Sequence, residues 1–480
     1  MRNSNLLRRY SELFGIGEIA VSKRLQAVFW ALWGLCILDL NEIGFFPSRT
    51  WRLPPCWEHF QNCYDYIQIG SLPFSYNYTL LTAALLAFLF GGALGAIKKK
   101  WEVAHFALLV VIIFKLIWSM VIFDYGTSNF EYFHLVPAIG FLLARNKLSQ
   151  MRYLWAFVYF FTPFVKLDTG WIIGTYFTSL KIGLPIFPDA LIPLITNGVI
   201  VFEMLASIGL ISKNKRIAQI SLYGWTIFHL YSTILVGFFY PVRCLAMLWA
   251  LFGFREENEP ALRQPLLEKK NWAMVVLIAY ITFASLFPSF ISASPNDTFE
   301  GMNYGLHMFN SNHQCLNIVT HLDAQGTQIR REEFGTTNAM TRCYPQWTLQ
   351  RLHKLCGNES GKISWQFYHS KDGGPFYELV NVPDVCQIEY KAFAHNEWIK
   401  APSQGAEIKG YPEPNSIFAR DGGPPPVIHE TPQRQFGAVQ TWLQEAFPHL
   451  KAIYFSMWTL LFVYILKIYF VDRFLRHSKH

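Results

Sequence analysis

What most restricts this chain is a series of apolar runs, most of them near twenty residues long, spread from Leu25 to Val471. About twenty residues of helix, rising ~1.5 Å each, span a hydrocarbon layer of about 30 Å. In lipid every backbone polar group must find its partner inside the protein, so such runs are expected to be helices that cross a bilayer. Ten can be read: Leu25 to Leu40, Thr79 to Ile97, Ala104 to Tyr125, Glu131 to Leu143, Tyr153 to Tyr176, Leu191 to Ile211, Ile217 to Phe238, Tyr240 to Phe254, Trp272 to Ile291 and Ala452 to Val471. The fourth and eighth are short enough to be tilted, re-entrant or half of a bent pair, so nine or eight crossings are also compatible.

Composition agrees, since 52% hydrophobic and only 15% charged residues lie well off the soluble average. The first apolar run begins late and no small-residue cleavage site follows it, so no cleaved leader is expected. Basic residues accumulate in short cytoplasmic loops. Putting Arg2, Arg8, Arg9, Lys23 and Arg24 inside also puts Lys98 to Lys100, then Arg145, Lys147 and Arg152, then Lys213, Lys215 and Arg216, and finally Arg473, Arg476 and Lys479 on that face. Both termini are therefore expected in the cytoplasm, and this bias accounts for the +8 balance without a nucleic-acid partner.

Cys36 and Cys244 fall in membrane segments, whereas Cys56, Cys63, Cys315, Cys343, Cys356 and Cys386 all fall on the outer side. An even number there is expected to form disulfides, with pairing open. A zinc site is the competing reading, weakened by the absence of any C-x-x-C spacing, and no metal is predicted. The triplets Asn296-Asp-Thr298 and Asn358-Glu-Ser360 also fall outside and are compatible with glycosylation.

The chain thus reads as a cytoplasmic start (1–24), a helical membrane domain (25–291), an outer domain (292–450), a last membrane helix (452–471) and a cytoplasmic tail (472–480). In the outer domain Cys315 to Leu322, Ile363 to Tyr368 and Tyr377 to Val382 alternate as strands do, the last two flanking the turn Lys371-Asp-Gly-Gly374. Pro345 to Cys356 has helical spacing, and the Pro- and Gly-rich stretch 401–432 reads as an extended return to the membrane. The fold class expected is a multi-pass α-helical membrane protein of nine or ten helices with a small α+β extracytoplasmic domain inserted before the last helix.

No P-loop, dinucleotide fingerprint, H-E-x-x-H or nucleophile elbow is present. Candidate sites are therefore the ionisable residues of the membrane segments, which are costly there and functional by default: Lys115, Lys166, Asp168, Glu203 and His229. Lys166 stands out. It follows Pro163, which loosens a helix, and burial of a lysine favours its neutral form, a general base. The alternative is that Lys166 reaches the outer interface or pairs with Asp168. Glu203 and His229 could bond each other or hold helices together, and Lys115 reads as structural. Gly91 and Gly95 make a G-x-x-x-G step suited to close helix packing.

Val165-Lys-Leu-Asp-Thr-Gly-Trp171 resembles the K-L-D-x-x-W signature of vitamin K-dependent gamma-carboxylase and its relatives, the horizontally transferred transmembrane (HTTM) family. Glu203 within Val201 to Gly209, Ile227-Phe-His229, and Tyr304 to Gln314 resemble further family positions in the same order, over about residues 24 to 400. The resemblance implies a lyase in which Lys166 deprotonates a reduced vitamin K (naphthohydroquinone). Oxygen then adds, the resulting base removes a proton from a protein glutamate, and carbon dioxide is captured while the quinone leaves as its epoxide. Lys166, Glu203, His229 and Trp171 would surround the quinone, with His229 orienting its oxygen. The implied partners are the lipid bilayer, the lipophilic quinone and a glutamate-containing secreted polypeptide, in the endoplasmic reticulum or a bacterial inner membrane. Two departures stand out. Asn129-Phe-Glu-Tyr132 replaces the family's N-H-x-Y, leaving Glu131 or His134 to substitute, and the chain ends soon after its last helix, where the animal enzyme continues. The competing expectations are a non-catalytic HTTM protein that binds a lipid or an exported polypeptide and, more distantly, a transporter.

Overall fold

The computed structural model describes residues 2–49, 74–121, 129–180, 183–253, 272–292, 294–302, 305–306, 311–336, 343–356, 361–404 and 437–467. Cys56, Cys63, residues 122–128, Asn358, and Tyr304 and 307–310 of the Tyr304 to Gln314 motif lie outside them. The chain is mostly helical and divides into two compact units, one of Met1–Thr162, Phe202–Thr282 and Trp458–His480, the other of Pro163–Val201 and Phe283–Met457.

Among the described residues four helices are long and apolar enough to cross a membrane: Leu80–Ile97, Asp189–Leu210, Trp272–Ile291 and Ala438–Leu466. They coincide with the second, sixth, ninth and tenth apolar runs, and the short fourth and eighth runs coincide with the shorter apolar helices Tyr132–Leu143 and Tyr240–Gly253.

The first unit begins with α1 (Arg2–Phe14), α2 (Ile16–Val21), α3 (Lys23–Arg49), α4 (Phe74–Ile97), α5 (Trp101–Val121), α6 (Asn129–Leu143) and α7 (Lys147–Phe161). Glycine brings α4 and α5 together, although not through the predicted pair. A Cβ on Gly92 would sit 2.9 Å from the Ala107 methyl and one on Gly95 3.1 Å from Val103 Cβ, while Gly91 meets nothing. Lys147, expected in a solvated loop, is buried: its Nζ donates to the carbonyls of Phe141 and Ala144 at 2.6 and 2.9 Å and closes the end of α6. Glu18 accepts from the Asn146 and Lys147 amides at 2.8 and 2.6 Å and opens α7.

The fifth apolar run, read as one segment to Tyr176, is not one helix. α7 ends at Phe161; Pro163 lacks an amide hydrogen, so a single 3₁₀ turn (Phe164–Lys166) follows, then α8 (Thr169–Ile172) and α9 (Thr175–Thr178). Asp168 starts α8 by accepting from the Gly170 amide at 3.0 Å, and Gly174, at φ 83°, separates the two short helices. Beyond lie α10 (Ile192–Leu210), α11 (Lys215–Val236), α12 (Phe239–Leu248), α13 (Trp272–Ile291) and α14 (Pro295–Thr298).

The second unit contains a four-stranded antiparallel sheet, β1 (His313–Leu322), β2 (Gln328–Thr336), β3 (Lys362–Lys371) and β4 (Tyr377–Val382), in the order β2-β1-β3-β4. Ile363, Trp365 and Phe367 alternate inward along β3 and pack with Val319, Leu349, Leu352 and Val380. The helix α15 (Pro345–His353) covers this face, and disulfides hold both its flanks: Cys315 to Cys343 before it and Cys356 to Cys386 after it. Cys36 and Cys244 are buried and belong to neither disulfide. The last helix, α16 (Ala438–Leu466), begins well before Ala452, so 438–450, assigned above to the outer domain, is continuous with it, while residues 405–432 of the expected extended return lie outside the described residues.

Candidate functional site

The second unit holds a cavity of about 1000 Å³. Its lining is mixed: apolar side chains come from Phe164, Val165 and Leu167 of the turn after α7, Pro288 of α13, Met302, and Phe447, Ala452 and Phe455 of α16, and polar ones from Asp168, Asn296, Asp297, Lys371, Asp372 and Lys451.

The polar part of the lining is organised by a hairpin turn visible in the sequence. Lys371-Asp-Gly-Gly374 closes through the Gly374 amide to the Lys371 carbonyl at 2.9 Å, with Asp372 at φ 53° and Gly373 at φ 72°. Two successive positive φ values define a type I′ turn, whose twist suits β3 and β4 and whose Asp-Gly pair tolerates that backbone. The turn delivers two adjacent charges to the cavity. Lys371 Nζ lies 2.7 Å from Asp168 Oδ1 and 3.7 Å from Asp297. Asp372 accepts from the Asn312 amide and the Thr175 hydroxyl, each at 2.8 Å.

Asp168 is held from several sides. Besides Lys371 and the Gly170 amide, the Asn296 amide group donates to it at 2.9 Å and the Ser311 hydroxyl at 3.4 Å. Asn296 is thus engaged inside the cavity wall, and Thr298 is buried, so the first glycosylation triplet is not displayed as a glycan acceptor needs.

Charge states follow from these contacts. Burial works against the Lys371 ammonium, but Asp168, Asp297 and Asp372 outweigh it and hold its pKa above the usual lysine value. Burial pushes the Asp372 carboxyl up to about 7, against the opposing pull of Lys371 and of its hydrogen bonds. Burial likewise raises Asp297 and, with Lys371 adding, lowers His369 to about 3, so this ring is neutral where it meets His313 at 3.0 Å.

Of the residues singled out in the sequence, Lys166 and Trp171 come together: Lys166 is 3% exposed and its Nζ sits 4.8 Å from the Trp171 ring centroid. Val165, Leu167 and Asp168 beside it line the cavity, whereas Lys166 itself does not. Glu203 and His229 belong to the other unit. Both are tied to α7 and its end, Glu203 accepting from the Thr162 hydroxyl at 3.2 Å and His229 Nε2 meeting the Tyr159 hydroxyl at 2.7 Å. Holding helices together, one of the two roles open for this pair, is what these bonds do.

Lys115 is paired with Asp39, whose carboxylate also meets His134 Nδ1 and the Arg243 guanidinium. These four side chains come from α3, α5, α6 and α12. Asp39 and Arg243 were detectable as charges inside the first and eighth apolar runs. Lys371, Asp372 and Asp297 carried only the weaker signal of a charged Asp-Gly turn and a short polar stretch. Among the described residues no three His, Cys, Asp or Glu side chains are grouped to hold a metal. The chain matches no protein-family model, no curated protein and no solved structure.

Proposed function

We propose that the protein is a multi-pass membrane enzyme of the vitamin K-dependent gamma-carboxylase type, coupling oxygenation of a reduced naphthoquinone to carboxylation of a protein glutamate. The observation that carries the proposal is the turn from Phe164 to Trp171, which buries one lysine against an indole while its neighbours line a large cavity of mixed apolar and polar character. The volume, about 1000 Å³, stands at the upper end of small-molecule pockets, roughly 300–1,000 Å³, and suits a bicyclic ring beside a polar side chain. The apolar side chains from α13 and α16, two candidate membrane spans, suit a ligand drawn from lipid.

When bound, a reduced naphthoquinone supplies the electrons for oxygen and the strong base that a carbon-bound proton requires. The chain supplies the rest. Lys166, which rests on Trp171, would take a hydroxyl proton in its neutral form once its side chain swings from the indole to the cavity. Asp168, fixed by Lys371, Asn296 and Gly170, holds the turn that carries Lys166. The apolar part of the lining excludes water that would quench a strong base. Glu203 and His229 keep a supporting role on α10 and α11. The proposal puts both termini in the cytoplasm, about ten crossings between them, and the sheet in an oxidising compartment; the two disulfides support the last point.

A second reading is a non-catalytic membrane protein that binds a lipid or an exported polypeptide. It is favoured by Lys166 resting on Trp171 rather than on the cavity wall. Epoxide formation from reduced vitamin K by the purified protein in nanodiscs separates the two. The expected result is epoxide from the wild type and a loss of roughly 10²-fold or more in Lys166→Ala, the scale of a removed general base. No epoxide from either protein, with both unfolding at the same temperature, overturns the enzyme and leaves the binding protein.

A further inference from the structure

Lys166 is one amine and accepts one proton, whereas a naphthohydroquinone carries two acidic hydroxyls. Lys166 is also turned away from the cavity, onto Trp171. Among the acidic side chains that line the cavity, Asp168 and Asp297 are engaged by the Lys371 ammonium, whereas Asp372 is held by two uncharged donors. Asp372 lines the cavity, and each of its carboxylate oxygens accepts one hydrogen bond, Oδ1 from the Asn312 amide and Oδ2 from the Thr175 hydroxyl. A carboxylate oxygen accepts two, so both have a lone pair left.

We propose that Asp372 is a second proton acceptor of this cavity, taking the hydroxyl proton of a quinol-type aromatic ligand. The inference rests on the functional reading above. In the step, the ligand's O–H bond breaks, its electron pair stays on the ligand oxygen, and a new O–H bond forms on the Asp372 carboxylate. Geometry permits it because the type I′ turn locks Asp372 on the wall, with no rotation of β3 or β4 required. The surrounding charges set the exchange near neutrality. Lys371 and His369 face it from β3, Asp168 from the turn before α8, Asp297 from α14 and Lys451 from α16. Asp168 and burial favour the protonated carboxyl and Lys371 the ionised one, which leaves the group balanced at about pH 7. A general base is most effective when its pKa lies near the working pH.

Two measurements on the full chain in nanodiscs test this. Infrared titration between pH 5 and pH 9 should show a protonated-carboxyl band that disappears with a midpoint near neutrality. Asp372→Asn should lack this band. Thr175→Val, which removes a donor to the ionised form, should move the midpoint up and serves if the first variant unfolds. Binding of reduced menadione under argon should weaken about tenfold in the wild type from pH 8 to pH 6, as the acceptor fills, and should be flat in Asp372→Asn. An unchanged band in Asp372→Asn, an equal pH slope in both proteins, or no binding of reduced menadione by the wild type overturns the inference. Epoxide formation with a flat pH response would sink Asp372 alone; no epoxide together with no binding would sink the carboxylase reading as well.

Discussion

Two ion clusters, one in each unit, are built on the same principle and differ in their access to water. Around Asp39 the carboxylate meets Lys115, His134 and Arg243, with side chains 0–6% exposed. Around Lys371 the ammonium meets Asp168 and Asp297, with side chains 13–23% exposed to the cavity. Removing one partner from a dry cluster strands a charge that nothing can solvate, so such a cluster is committed to holding helices α3, α5, α6 and α12 in place. A cluster on a cavity wall can lose or exchange a partner because water or a ligand can take its place. The difference separates a structural lock from a site.

Three substitutions test this contrast. The largest effect is expected from Asp39→Asn, which leaves Lys115 and Arg243 facing an amide; a loss of about 3–5 kcal/mol should appear as a sharply lower unfolding temperature in detergent. An unchanged unfolding temperature would mean that the dry cluster holds nothing. Lys371→Met should cost only about 1–2 kcal/mol, since cavity water can solvate the abandoned carboxylates, while ligand binding should suffer more than stability. If its stability loss equalled that of Asp39→Asn, the two clusters would be alike and the contrast would fall. The smallest effect is expected from Trp171→Phe. It keeps a buried ring beneath Lys166 at a cost of about 0.5–1 kcal/mol and should leave the Asp39 cluster untouched, so a large loss would show that the turn supports the fold rather than the cavity.

Much of the outer domain was legible because its signals are local. Alternation marked β3 and β4, helical spacing marked α15, and Lys371-Asp-Gly-Gly374 announced a turn. β2 escaped because it is an edge strand whose central residues, Arg330 to Glu333, face water and show no apolar alternation. The break after Phe161 was half anticipated: Pro163 was expected to loosen the helix before Lys166, but the run from Tyr153 to Tyr176 is apolar enough on average to read as one segment, and hydropathy does not register that the Asp168 cap begins another helix.

The amino-acid sequence alone marks apolar runs long enough to cross a membrane, three of the four strands, and the lysine-leucine-aspartate turn that carries Lys166, because each of these depends on neighbours within a few residues. Which charges meet is set by the tertiary fold. Asp39 and Arg243 are 204 residues apart, and Thr175 and Asp372 are 197 apart. Pairs so distant are chosen by packing, which brings together whatever burial would otherwise leave unsatisfied, and no local pattern encodes that choice.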